Sequence, residues 1–389
     1  MCYNHTCIGG IRMGPNILDK LTLDRKLVRE LDIKTLLAII AIVLFGTLNI
    51  YSATYLKSGT HYLKAQLLWL VVGLVVTYVI LCFDYSVLEN YATILYWASI
   101  LLLVINDTIF KNSVVNGAAS WIRIGSVGIQ PSEFAKLAMI IMLSKKLSDM
   151  NLEINNPKNF LTLAGYAALP MALIVIQPDM GMTMVCFFIV LGIFFVAGLD
   201  LKVIGGGFAG VAALIALIWN LSIMPTYWKN RLVSFINPEA DELGSGLQLL
   251  QSQIGIGSGE MFGKGFMKGT QVSGGFIPEA HTDFIFSVVG EEWGFIGAMI
   301  LVIVYGYIIY RFIIVARTSK DIFGSMLTVG IVSSLLFSLL QNIGMTIGLM
   351  PITGITLPFM SYGGSSMLTN FMAVAIVLNI GMRRKKINF

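Results

Sequence analysis

The sequence predicts an all-α polytopic integral membrane protein of about ten transmembrane helices, with one large extracytoplasmic loop between helices 7 and 8. Three observations carry this. The 389 residues are 56% hydrophobic and only 12% charged, with a mean hydropathy of +0.81, whereas soluble domains carry about 25% charged residues. The apolar residues gather into runs near the length that spans a bilayer, about 20 residues. The roughly ten-residue alternating segments of a transmembrane β-barrel are absent.

Read in order, the apolar runs place spans near 36–53, 65–83, 87–106, 131–148, 160–177, 180–198, 202–221, 284–310, 322–348 and 364–381. Residues 1–34 precede them as a polar, basic tail, and 383–389 follow as a second basic tail. Between them, 35–382 reads as a single membrane domain. The tail is too long and too charged for a signal-peptide n-region, and the first run lacks a small-residue cleavage site, so that run is expected to stay as an anchor. Met13 is an alternative start. The fifth and sixth spans are split only by Gln177-Pro178-Asp179-Met180-Gly181, which reads as a tight hairpin.

Basic residues set the orientation. On this layout the side shared by both termini holds roughly twice the Lys and Arg of the other, so both termini are expected in the cytoplasm. The two long loops, about 107–130 and 222–283, then face outward. The second is glycine-rich between Gly244 and Gly275, and long loops on a helical scaffold commonly carry function. The chemistry is therefore expected on the outer face.

Several classes fall away. Aromatic and basic residues are not interleaved on any soluble-looking segment, so nucleic acid is not an expected partner. Cys82 and Cys186 lie in or beside apolar spans and read as small hydrophobes. Cys2 and Cys7 flank His5 in a tail that reads as frayed, so neither a metal knuckle nor a disulfide framework is implied. Gly257–Gly265 imitates a P-loop, but its spacer is one residue short and Gly265 stands where Ser or Thr would hold magnesium. Ser361–Ser366, "SYGGSS", is not a G-x-S-x-G elbow. It reads as the entry to the last helix, with a hydroxyl capping the helix N-terminus. The alternative is that Ser365, Ser366 and the free N–H groups hold a phosphate or sugar oxygen.

Ionisable groups at membrane depth are informative because each costs at least about 2.5 kcal/mol on insertion scales and so faces a partner or a cavity. Glu133 and Lys136 stand at i, i+3 on one helix face and can pair. Asp179 is placed to cap the break at 177–181. Glu279, His281 and Asp283 crowd the point where the large loop re-enters the membrane. Thr282 or Asp283 as helix cap accounts for one acid only. A carboxylate in a low-dielectric cleft has a raised pKa and can serve as a general base. On a continuous helix Glu291 and Glu292 would lie about 12 Å below Asp283, binding helix ends or water.

Five segments in order resemble one family: "NGAASWIRIGSVGIQPSEFAKL", "IQPDMG", "QSQIGIGSGEMFGKGFMKGTQ", "FIPEAHTDFIFSVVGEEWG" and "MPITGITLPFMSYGGSSML". They are similar to the signature segments of the shape, elongation, division and sporulation (SEDS) family, over roughly residues 35–385. The run Gly263–Gln271 is more like the rod-shape branch than the division branch. Ala119-Ser120 before Trp121 departs from the basic or bulkier residue of many members.

The resemblance implies a ten-helix peptidoglycan glycosyltransferase of the bacterial cytoplasmic membrane. Such an enzyme polymerises lipid II at the outer face beside a class B penicillin-binding protein, among membrane lipids. It implies Asp283 as the catalytic carboxylate, with Glu133, Lys136 and Asp179 as sensitive positions and Trp121 as the tryptophan of the first-loop pattern; Gln251 and Ser252 are further supporting candidates. The expected reaction is inverting attack of an acceptor 4-hydroxyl on the donor's anomeric carbon, displacing polyprenyl pyrophosphate. Asp283 would take the proton, His281 and Glu279 would shape its surroundings, and Arg123, Arg231, Lys264 and Lys268 are the outer-face cations available to the leaving pyrophosphate. A divalent cation, magnesium or manganese, is an optional aid whose ligands the sequence does not reveal. The competing readings are a lipid II flippase, for which internal repeats and midplane charges would be expected, and a non-catalytic scaffold activating its crosslinking partner.

Overall fold

The computed structural model describes residues 25–109, 120–124, 127–220, 226–237 and 244–384. The Cys2–His5–Cys7 cluster and the last basic residues lie outside them. The chain begins with α1 (Arg25–Glu30), α2 (Ile33–Ser58), α3 (His61–Cys82) and α4 (Ser86–Ile109). A small hairpin follows, β1 (Ile122–Ile124) against β2 (Val127–Ile129), and then α5 (Pro131–Asp149), α6 (Pro157–Ile176), α7 (Met180–Val196) and α8 (Leu201–Asn220). The large loop between α8 and the next long helix carries α9 (Thr226–Ile236), α10 (Ser245–Ser258) and α11 (Thr270–Ser273). The chain closes with α12 (Ile285–Thr318), α13 (Ile322–Thr346) and α14 (Gly364–Met382).

All ten predicted spans overlap long helices, and seven of these are long and apolar enough to cross a membrane by length and composition. Their ends follow local chemistry. Asp32 accepts the Thr35 N–H at the start of α2, Asn156 the Lys158 N–H at α6, and Asp321 the Gly324 N–H at α13; each satisfies an orphan donor of a first turn. Pro131 and Pro157 stand in the first turns of α5 and α6, where a missing N–H costs nothing.

The bundle is apolar on its flanks as well as in its core. α5, α13 and α14 form its centre, with α5 buried on nearly all sides from Pro131 to Ser144. α3, α4 and α6 stand outside and expose Leu68, Val71, Val75, Ile94 and Leu161. Apolar side chains turned outward on fully hydrogen-bonded helices are what a bilayer requires.

Two expectations about helix entry are corrected. α12 is capped at Phe284 with no side-chain hydrogen bond, so neither Thr282 nor Asp283 caps it; both are held in the preceding turn by other partners. α14 is capped at Gly363, again without a side-chain bond, so the serines of "SYGGSS" do not cap it. The β-hairpin was not anticipated. Its register pairs Ile122 with Ile129 and Ile124 with Val127, and it leads directly into α5.

Candidate functional site

At one end of the bundle the chain encloses a cleft of about 770 Å³. Its walls come from α3 (His61, Tyr62, Leu68, Trp69), the hairpin (Trp121, Gly128), the start of α5 (Gln130, Glu133, Lys136) and the α6–α7 turn (Pro178, Asp179). The later segments add Arg231 from α9, Glu279, His281, Thr282 and Asp283 before α12, Thr353–Thr356 and Tyr362 between α13 and α14, and Ser366 on α14. Leu68 both lines the cleft and is exposed on the flank of α3, so the cleft reaches the apolar outside of the bundle.

Asp283 is fixed through its backbone. Its carbonyl accepts from Asn342 Nδ2 at 2.8 Å, and the same amide donates to the Ile355 carbonyl at 2.8 Å. The Ser361 hydroxyl donates to the Thr282 carbonyl at 2.6 Å and accepts the Leu357 N–H at 2.8 Å. The Tyr362 N–H donates to the His281 carbonyl at 2.9 Å. Residues 281–283 are thereby stitched to the segment 355–362, and the Asp283 carboxylate lines the cleft.

Arg231 reaches the same spot. A Cβ placed on Gly354 would lie 3.4 Å from Asp283 Oδ2 and 3.9 Å from either guanidinium nitrogen of Arg231. Gly354 has φ +76°, so a side chain there would be strained although a Cβ would meet its neighbours only at ordinary contact distance. Burial, and then the Glu279 carboxylate, push the Asp283 pKa up to about 7, against the opposing pull of Arg231.

The other ionisable groups are held by specific partners. Asp179 caps α7, accepting the Met182 N–H at 2.9 Å and the Gln130 amide at 3.1 Å. Burial raises its pKa, opposed by those bonds and by Ser120. Lys136 pairs with Glu133 at 2.8 Å, and the Thr369 hydroxyl donates to the same Glu133 oxygen at 2.6 Å. This bears out the expected i, i+3 pair and anchors it to α14. The His281 ring lies against Tyr62 at 4.7 Å and Tyr362 at 5.9 Å, and burial lowers its pKa, which keeps it neutral at pH 7.

Not every candidate from the sequence reaches the cleft. Lys264 is engaged elsewhere, in a 2.8 Å ion pair with the fully buried Glu291. Lys268 is exposed. Ser252 is buried, bonded to the Ser287 hydroxyl and the Thr346 carbonyl, and Gln251 sits beside it on α10, outside the cleft lining. Ser365 also lies behind the wall, accepting the Gln130 N–H at 3.1 Å and donating to the Gly128 carbonyl at 3.2 Å. Ser366 does line the cleft, 3.0 Å from the Thr356 hydroxyl. The Arg123 side chain lies outside the described residues. Among the described residues no three His, Cys, Asp or Glu side chains come together as a metal site.

Sequence reasoning missed several wall residues. Tyr62 and Trp69 sit at the start of a span, where aromatics ordinarily read as an interfacial belt. Asn342 did carry a signal, as a polar amide within an apolar span.

The chain matches, over residues 30–386, the family of cell cycle proteins that takes in FtsW, RodA and SpoVE. It is 35% identical to the probable peptidoglycan glycosyltransferase FtsW of Trichlorobacter lovleyi, covering 90% of this chain and 93% of that one. It is 34% identical to the peptidoglycan glycosyltransferase MrdB of Escherichia coli, covering 92% and 95%. It also resembles, with a TM-score of 0.77 and 29% identity over 90% of this chain and 97% of the other, a chain solved in a peptidoglycan synthase complex that coordinates polymerization and crosslinking.

Proposed function

The chain belongs to the FtsW, RodA and SpoVE family, and from that premise we propose that it is a peptidoglycan glycosyltransferase of the bacterial inner membrane that polymerises lipid II. Both termini lie in the cytoplasm, and residues 35–382 form one membrane domain whose cleft opens at the outer face. The rod-shape role rests on the Gly263–Gln271 run. The working partner is a class B penicillin-binding protein, in keeping with the synthase complex of the structural relative.

One observation carries the reading: Asp283, with its pKa raised to about 7, faces Arg231 in a cleft that also reaches the lipid-facing flank at Leu68. A lipid-linked sugar substrate needs that combination, a polar site for its sugars and a side opening for its polyprenyl chain. In the reaction, Asp283 takes the proton from the acceptor's 4-hydroxyl as the oxygen bonds to the donor's anomeric carbon. The bond from that carbon to the pyrophosphate oxygen breaks, and the electron pair leaves with polyprenyl pyrophosphate, inverting the centre. A base whose pKa lies near the working pH is effective as acceptor and still mostly ionised above it. Arg231, placed in the same cleft, balances the negative charge that grows on the pyrophosphate. Lys136 lines the cleft as well, but its charge is shared with Glu133.

The test is reconstitution of the full chain with its transpeptidase partner in liposomes carrying labelled lipid II. Glycan polymer is the expected product. Transfer of lipid II between leaflets without polymer would replace the reading with a flippase.

A further inference from the structure

The membrane-spanning α12 is broken at Gly294, where φ is +64° and ψ −165°. A broken helix frees backbone groups that must be satisfied within the protein at membrane depth. Here the outer loop does so. The Lys264 N–H donates to the Glu291 carbonyl and the Gly265 N–H to the Glu292 carbonyl, both at 3.0 Å. In return the Phe295 and Ile296 N–H groups donate to the Glu260 and Met261 carbonyls, at 2.8 and 3.1 Å. Below this stitch Glu291 accepts Lys264 Nζ at 2.8 Å and the Gln271 and Val272 N–H groups at 2.9 and 3.1 Å, while Glu292 accepts the Ser52 hydroxyl. The two acids expected from the sequence to bind helix ends or water are the inner fastenings of this loop.

Two rulers give its height. Asp32 and Arg311 form an ion pair at the end of α2 and α12 nearest the termini, at 2.7 Å. From Asp32 up α2 to Ser52 is roughly twenty residues, or about 30 Å at 1.5 Å per residue, and from Arg311 up α12 to Glu292 is about the same. That is one hydrocarbon thickness. Ser52 and Glu292 meet, so both helices set the loop at the outer boundary of the hydrocarbon.

What the loop shows outward there is apolar. Phe262 is 80% exposed, with Met261, Phe266 and Met267 exposed around it, and the surface continues down α12 through the exposed Phe295, Met299 and Ile303. The Lys264 charge is drawn inward to Glu291, which leaves Glu260 and Lys268 at the two edges of the patch. An apolar tip at interfacial depth, continuous with a lipid-facing helix, is the pattern of an interfacial anchor.

We infer that residues 260–267 form a hairpin stitched into the break of α12 that inserts Met261, Phe262 and Phe266 into the outer leaflet of the bilayer. Its occupant is the acyl and glycerol region of the lipid, not another protein. The inference stands apart from the reaction, because it rests on the backbone stitch and the height of the loop.

The experiment places a nitroxide at Phe262→Cys, and separately at Met261→Cys, in the full chain with its native cysteines replaced. The protein is held in nanodiscs of phosphatidylethanolamine and phosphatidylglycerol, and collision with oxygen is compared with collision with a water-soluble nickel chelate. Phe295→Cys serves as the lipid reference and Glu153→Cys, on an exposed loop, as the water reference. Oxygen contact several-fold above nickel contact, as at Phe295, is expected at either position. Nickel contact matching Glu153 would place the loop in water, and shielding from both reagents would mean that protein covers it; each overturns the inference. Using two labelled sites keeps the test decisive if one variant does not fold.

Discussion

Asp283 and Arg231 converge beside Gly354, where a Cβ would stand 3.4 Å from the carboxylate and 3.9 Å from the guanidinium. This convergence opposes the effect of burial on the ionisation of Asp283. Burial and Glu279 raise the Asp283 pKa to about 7, and Arg231 holds it down. The base works when deprotonated, so glycan synthesis should fall as pH drops through about 7. Arg231→Gln should move that midpoint to higher pH by removing the opposing cation, and Glu279→Gln should move it lower. Rate against pH for lipid II polymerisation by the three proteins checks the signs.

Asn342 holds both the Asp283 and Ile355 carbonyls. Asn342→Leu leaves both unpaired, at about 1–3 kcal/mol for each buried group. The chain should still insert, while kcat falls more than KM rises, because the amide orients the base without touching substrate. Steady-state kinetics on lipid II distinguish this from a general loss of folded protein, which would scale activity and yield together.

The Glu133–Lys136 pair is buried and tied to Thr369. Removing one partner strands the other charge, at about 3–5 kcal/mol. Lys136→Met should therefore lower the apparent Tm in detergent more than the double change Glu133→Gln with Lys136→Met. Equal losses would mean that the pair is not coupled as the geometry requires.

The His281 imidazole packs against Tyr62 and Tyr362, which also touch each other, and burial keeps it neutral. His281→Phe should retain most polymerisation, whereas His281→Ala should lose it by loosening the turn before Asp283. If both variants were equally inactive, a proton-transfer role for the ring would follow instead.

The acid cluster at 279–283 was legible in the sequence because acids at a membrane entry are costly and rarely idle, and the family resemblance singled out Asp283 from it. The Glu133–Lys136 pair and the Asp179 cap were legible because their spacing is local. The role of Lys264 was not: among the outer-face cations it looked available, and only the fold brings Glu291 beneath it. The hairpin at 122–129 was missed although two short β-branched runs around Gly125-Ser126 carry a turn signal. The break in α12 was hidden too, because Gly294 in "GEEWG" reads as an ordinary residue of an apolar helix. The partners that repair it lie some thirty residues upstream in a loop with no helical period.

The most direct measurement compares wild type with Asp283→Asn, each in liposomes with the transpeptidase partner and labelled lipid II. The variant is expected to insert, bind its partner and make no detectable glycan polymer. Near-normal polymer from Asp283→Asn would contradict the proposed role of Asp283.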